Sequence, residues 1–299
     1  MKRSSEPVGR SATAGRSRFP GAAVWYNCGM VREPAVAGAF YAGEAGSLAR
    51  DVDGFLAAGA GGSVIERAIA CVVPHAGYVY SGGVAGAVYS SLEIPSRIIL
   101  IGPRHFPQGA AMAILSEGAF RTPLGEGRID AELAAALRHE CPLLREDALA
   151  HAREHSLEVQ LPFLQRLRPE FSFVPVVLAS DRFQVLEELG RSIARAVAAA
   201  GGPVLIVAST DMNHYESDAV TRAKDALAIA RIDALDARGL YDTVRNEGIT
   251  MCGYAATVAT IVAARELGAS DAQLVKYATS GEVNGDYSRV VGYAGFVVR

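Results

Sequence analysis

An α/β fold built on a mostly parallel sheet is expected from three features of the sequence. Short apolar runs recur from residue 31 onward, with the length and composition of strands buried on both faces. Longer segments between them carry apolar residues at i, i+3, i+4, as amphipathic helices do. The two kinds of segment alternate, the order that lays helices over a parallel sheet.

Taken in order, Leu48, Val52, Phe55 and Leu56 share one helical stripe. Residues 68–73 form a β-branched apolar run that stops at Pro74, and 98–101 form another that stops at Gly102-Pro103. Residues 112–115 read the same way. Leu133, Ala134 and Leu137 mark a helix, and Leu157, Leu161, Leu164 and Leu167 a second, which Pro162 is expected to kink. Strands are expected at 173–178, 204–208, 273–278 and 289–298, and longer helices at 182–200, 219–237 and 252–267. No low-complexity linker or internal repeat interrupts 31–299, so one domain is expected there. Residues 1–29 carry Lys2, Arg3, Arg10, Arg16 and Arg18 against Glu6, with no apolar core of the kind a secretory signal needs. They read as an unstructured extension, or as a mis-assigned start upstream of Met30.

Composition excludes several classes. The 299 residues are 50% hydrophobic and 20% charged, enough apolar side chain for a large core and too much for a disordered chain. Lys+Arg 29 against Asp+Glu 32 leaves no basic surplus for nucleic acid. No apolar run reaches the roughly 18 residues that span a bilayer, so no membrane partner is expected. The four Cys are scattered without a CxxC pair, which favours a reducing compartment and a cytoplasmic location. Loops of the kind that bind NTP or dinucleotides, H-E-x-x-H and G-x-S-x-G are all absent.

In an open α/β sheet, ligands sit beyond the carboxyl ends of the strands. The polar residues of this chain stand where its apolar runs stop. His75 follows the first run in Pro74-His75-Ala76-Gly77-Tyr78, and His105 follows the second in Gly102-Pro103-Arg104-His105. The run at 204–208 leads into Asp211-Met212-Asn213-His214. His155 is expected to open a helix, and Cys252 to sit at a helix amino terminus, where the helix field favours thiolate. His139 and His151 read as solvated surface, Cys71 as core, and Cys141 as a loop residue. Phe40 and Tyr41 are core aromatics or a pocket wall. Imidazoles and a thiolate ligate iron, copper or zinc, and two His with one anionic residue is a pattern that leaves positions open on iron(II). The same residues also suit a metal-free Cys–His nucleophilic pair.

Seven motifs in this order, namely Ala37-Gly38-Ala39-Phe40-Tyr41, the two His motifs above, Arg121-Thr122-Pro123-Leu124, Glu154-His155-Ser156-Leu157-Glu158, Asp211-Met212-Asn213-His214 and Cys252-Gly253, resemble the MEMO family, whose prokaryotic members are called AmmeMemoRadiSam system protein B. The resemblance runs from about residue 31 to 299. It implies a three-layer α/β/α sandwich around a mostly parallel mixed sheet, like that of class III extradiol ring-cleaving dioxygenases. It implies His75, His105 and Cys252 as ligands of a divalent transition metal, with iron first and copper or zinc as alternatives. It further implies His214, Asp211 and His155 as catalytic-pocket residues, and Phe40, Tyr41 and Tyr78 as substrate-pocket aromatics; His214 is expected to handle protons, with Asp211 accepting a hydrogen bond from one of its ring nitrogens. Many relatives have Trp-Tyr where Phe40-Tyr41 stand, and some have a second His at Phe106. The implied function is a non-haem metal-dependent oxidoreductase acting on an unidentified small molecule or protein, associated with a radical-SAM protein and an AMMECR-type protein. Two alternatives stand beside it: a non-catalytic metal- or protein-binding module, and a metal-free Cys–His hydrolase or transferase.

Overall fold

The alternating runs assemble into three layers in the computed structural model, which describes residues 1, 30–61, 64–65 and 67–299. The expected extension over 1–29, apart from Met1, and Cys28 with it, lies outside the described residues. Along the chain come β1 (Val31–Arg32), α1 (Ala45–Gly59), β2 (Ala70–Val73), α2 (Tyr78–Ser90) and β3 (Arg97–Pro103). Next are β4 (Met112–Ile114), β5 (Ala119–Thr122), β6 (Gly125–Ile129), α3 (Ala131–Glu140), β7 (Arg145–Glu146), α4 (Ala148–His151) and α5 (Leu161–Leu167). Then follow β8 (Ser172–Leu178), α6 (Phe183–Ala199), β9 (Val204–Ser209), β10 (His214–Glu216), α7 (Asp218–Asp233), α8 (Ala237–Asn246) and α9 (Tyr254–Glu266). The chain closes with β11 (Ala272–Thr279), the single turn α10 (Gly281–Asn284) and β12 (Val290–Val298).

The sheet order is β1-β5-β6-β8-β3-β9-β2-β12-β10. Its centre, β8-β3-β9-β2, is parallel, while β12 runs antiparallel to β2 and pairs with β10 and β11. Successive side chains of a strand point to opposite faces, and the core divides accordingly. Ile99 and Ile101 of β3, with Ile206 and Ala208 of β9, pack with α3, α6, α7, α8 and α9. Ile98 and Leu100, with Leu205 and Val207, pack with α1, α2 and α5. The central strands are therefore covered on both sides, which is why they read as continuous apolar runs.

Four local expectations need correction. Pro162 does not kink a helix: a short 3₁₀ turn at Glu158–Gln160 precedes α5, and the proline occupies the first turn of α5, where its missing N–H costs nothing. His155 stands just before the turn and 3₁₀ segment that lead into α5, its carbonyl accepting from the Val159 N–H at 3.1 Å, so it does not itself open a regular α-helix. The helix expected over 219–237 ends at Asp233, because Leu235 adopts φ 51°, and α8 starts afresh at Ala237 behind the Asp236 cap. His151 is buried against Phe120 rather than solvated. Cys71 is core, as expected, and His139 is exposed. Cys141 caps the end of α3 and is fully buried.

Candidate metal centre

Three parallel neighbours, β3, β9 and β2, end at the same edge of the sheet, and each delivers a polar residue there. Val73 pairs with Ser209, and the Thr210 N–H still donates to the Val73 carbonyl at 2.9 Å, so β2 and β9 run out together. Beyond that point His75 leaves β2 and Asp211 leaves β9. His105 leaves β3 two residues after Pro103. Cys252 arrives from the far side, in the turn before α9. Gly253 makes that approach feasible: a Cβ there would lie 2.4 Å from the Ser209 carbonyl oxygen.

The three resemblance-implied ligands converge. One ligand atom each from His75, His105 and Cys252 lies within 4.8 Å of the others. Cys252 Sγ is 3.2 Å from His75 Nε2, and the His75 and His105 rings meet edge-on at 5.3 Å. A second group, His105, Glu154 and His155, meets the same 4.8 Å limit, with the two rings stacked at 4.5 Å. A cavity of about 580 Å³ opens over the cluster. Phe40, His155, His214, Tyr215, Thr250 and Tyr293 contribute to its wall.

Buried surroundings disfavour charge on the imidazoles. Burial, assisted by the neighbouring His105, pushes the His75 ring down to about 3. Burial and His75 together push His155 down to about 4. Both rings are thus neutral, the form that ligates. Burial works to raise the Glu154 carboxyl, but the His105 ring and the backbone N–H groups of His105 and Ser156 outweigh it and hold Glu154 ionised. For Asp211 the balance reverses: burial pushes the carboxyl up despite the N–H that His75 donates to it at 2.7 Å.

Several expectations change at this scale. Cys252 does stand just before the Gly253 cap of α9, but burial, with the Asp211 charge, pushes its thiol up rather than toward thiolate. His214 does line the cavity, but its Nδ1 donates to the Thr250 carbonyl at 2.9 Å; Asp211 is not its partner. Phe40 lines the cavity and meets His155 edge-on. Tyr41 and Tyr78 do not line it. They are buried behind it, their hydroxyls donating to Glu158 and to the Val159 carbonyl. Glu158 also accepts from the Arg32 guanidinium and from the Ala35 and Val36 N–H groups, fixing the loop that carries Phe40.

Four site residues were given no role from sequence: Glu154, Gln160, Ser209 and Thr250. Glu154 stood beside His155 in its motif, but its Oε1 sits 2.9 Å from His105 Nδ1, a contact 49 residues apart that only the fold creates.

An α/β/α protein with a His–His–Cys cluster at the carboxyl edge of its sheet is the class that fold and geometry define. The chain belongs to the Memo-like protein family, which matches residues 32–297. A MEMO1 family protein of Methanopyrus kandleri is 42% identical over 281 residues, covering 90% of this chain and 99% of its own. Those of Methanothermobacter thermautotrophicus and Aquifex aeolicus are 39% and 40% identical, each covering 89% of this chain and 99% and 98% of their own. The crystal structure of an uncharacterized protein from Escherichia coli K12 shares the fold at TM-score 0.51 and 14% identity, over 77% of this chain and 100% of that one. Among the described residues, no helix is long and apolar enough to cross a membrane.

Proposed function

We propose that the protein is a non-haem metal-dependent oxidoreductase in which His75, His105 and Cys252 hold a divalent transition metal, iron first, with copper or zinc as alternatives. The observation that supports this reading is the convergence of the three ligand atoms within 4.8 Å beneath an open cavity. Metal–ligand bonds of about 2.0–2.3 Å fit inside that spacing. The donor set is chemically apt: two imidazoles and one thiol suit a borderline or soft metal. The Glu154 oxygens are taken up by the N–H groups of His105 and Ser156, so Glu154 supports a ligand rather than being one.

When bound, the metal supplies Lewis acidity and, for iron or copper, a redox couple. The chain's own residues do the rest. Phe40 and Tyr293 line the cavity with aromatic surface and limit water around the substrate. His214, with its Nδ1–H committed to the Thr250 carbonyl, keeps Nε2 for taking up a substrate proton. The substrate is a small molecule or protein group able to enter that cavity. A shared modification pathway with a radical-SAM protein and an AMMECR-type protein is part of the same proposal.

Oxygen uptake by metal-loaded protein over a panel of catechols and other phenols tests this. Consumption that Cys252→Ala abolishes is the expected result. Stoichiometric metal without consumption on any member favours a non-catalytic binding module. The Cys–His hydrolase reading draws on the 3.2 Å contact between Cys252 Sγ and His75 Nε2. It requires a metal-free protein whose Cys252 is alkylated rapidly, an outcome that the upward push on the thiol opposes.

A further inference from the structure

We propose that a buried relay, Tyr89–Gln160–Ser209, is a positioning device that locks His75 in the Nδ1–H tautomer and so presents Nε2 to the metal, matching what Glu154 does for His105. The proposal rests on the metal-centre reading for its purpose, but not for its geometry.

The tautomer follows from hydrogen-bond accounting, because a carbonyl oxygen can only accept. Gln160 Nε2 is 3.0 Å from the Pro74 carbonyl, so the atom facing Pro74 must be the amide nitrogen. Gln160 Oε1, at the other end, accepts from the Tyr89 hydroxyl at 2.9 Å. The same Nε2 donates its second proton to Ser209 Oγ at 2.9 Å. Ser209 has one proton to give, and the Ser156 carbonyl, 2.7 Å away, takes it. Toward His75 Nδ1, at 2.9 Å, Ser209 Oγ can therefore only accept. His75 must carry its proton on Nδ1, which leaves a lone pair on Nε2, the atom nearest Cys252 Sγ.

Each member of this chain is buried: Gln160 and Ser209 are fully covered, Tyr89 likewise, and His75 is 2% exposed. Water cannot substitute for a missing partner, so the arrangement has no loose end. The two ligand imidazoles then differ in kind. His105 leans on an ionised carboxylate and His75 on a neutral hydroxyl, so His105 is the more electron-rich donor. Nothing in the relay needs a metal to form; the protein sets both rings before one arrives.

The test is histidine-selective ¹⁵N NMR on the full-length protein after chelator treatment, with long-range ¹H–¹⁵N correlations reading the tautomer of each ring. His75 and His105 should both appear as Nδ1–H in wild type. In Ser209→Ala, His75 should lose that single tautomer while His105 keeps it, and cobalt(II) affinity should fall by about 10–100-fold. A merely structural defect would disturb both rings together, so His105 is the internal control. His75 as the Nε2–H tautomer in wild type overturns the proposal, as does a Ser209→Ala protein with His75 and cobalt affinity unchanged. If Ser209→Ala does not fold, the wild-type spectrum alone still decides the tautomer. Failure of the metal-centre reading looks different: both tautomers as expected, with no cobalt bound.

Discussion

Cys252 Sγ lies 3.2 Å from His75 Nε2, although 177 residues separate the two in the chain. The contact joins the carboxyl end of β2 to the turn before α9. It exists because β9, lying beside β2, ends against Gly253 with no room for a side chain between them. Asp211 sits beneath both, accepting the His75 N–H, while its own N–H points at Cys252 Sγ from 3.3 Å. The site is thus assembled by backbone at the sheet edge, and its properties can be perturbed one contact at a time.

His214→Ala should leave metal content near wild type while lowering any turnover by about 10²–10⁴-fold, the range for losing a proton-transfer group. His75→Ala should empty the site. Metal analysis of the two variants side by side decides the role: if both lose metal equally, His214 is a ligand.

Glu154→Ala strips the acceptor from His105 Nδ1 and from the His105 and Ser156 N–H groups. Metal affinity, measured by competition with a chelator, should weaken by about 10–100-fold. Each buried donor left without a partner should also cost about 1–3 kcal/mol in urea melts. Glu154→Gln keeps one acceptor and should fall between. Wild-type affinity in the alanine variant would show that His105 needs no support.

Gly253→Ala forces a Cβ to within 2.4 Å of the Ser209 carbonyl. Overpacking of this kind costs roughly 1–3 kcal/mol, and the shift should carry Cys252 away from His75. Stability and metal content should therefore fall together. Gly54→Ala in α1, where a Cβ meets nothing within 4 Å, should instead stabilise by roughly 0.5–1 kcal/mol. Full metal content in Gly253→Ala would mean that the turn is free to move.

The fold's centre was legible because β2, β3, β8 and β9 are buried on both faces and read as unbroken apolar runs. The helix α2 was not. Its Ser81-Gly82-Gly83 and Gly86 look like a loop, yet Gly82 and Gly86 are where Phe55 of α1 presses in, at 2.6 and 2.5 Å from where a Cβ would sit. Small residues there serve close packing, which local propensity cannot see. That His75, His105 and Cys252 would come together was legible from strand ends, a helix start and motif resemblance. Glu154, Ser209 and Gln160 were not, since their roles are partnerships across the fold. The pairing expected between Asp211 and His214 failed for the same reason: three residues apart in sequence, they turn to partners on different elements. His151 was misjudged because its polar neighbours Arg153 and Glu154 in the sequence do not reveal that the chain turns inward at α4.

Stability should depend on pH through Asp225, outside the His–His–Cys cluster. Burial pushes its carboxyl from the ordinary 3.8 to about 6, although the Tyr277 hydroxyl and the Asn213 N–H donate to it. The folded state then binds the proton more tightly than the unfolded one. The sign follows: this contribution favours folding at acid pH and declines as pH rises from about 4 to 6, by roughly 3 kcal/mol in full. Asp225→Asn should flatten that stretch of the stability curve in urea melts taken across it. An unchanged slope would assign the pH dependence elsewhere.

The most direct test of the metal centre is elemental analysis of freshly purified full-length protein, prepared anaerobically under reducing conditions and without chelator. Close to one transition-metal ion per chain is expected, lost in His75→Ala, His105→Ala and Cys252→Ala alike. Folded protein with metal near zero, or metal that all three substitutions leave in place, would contradict it.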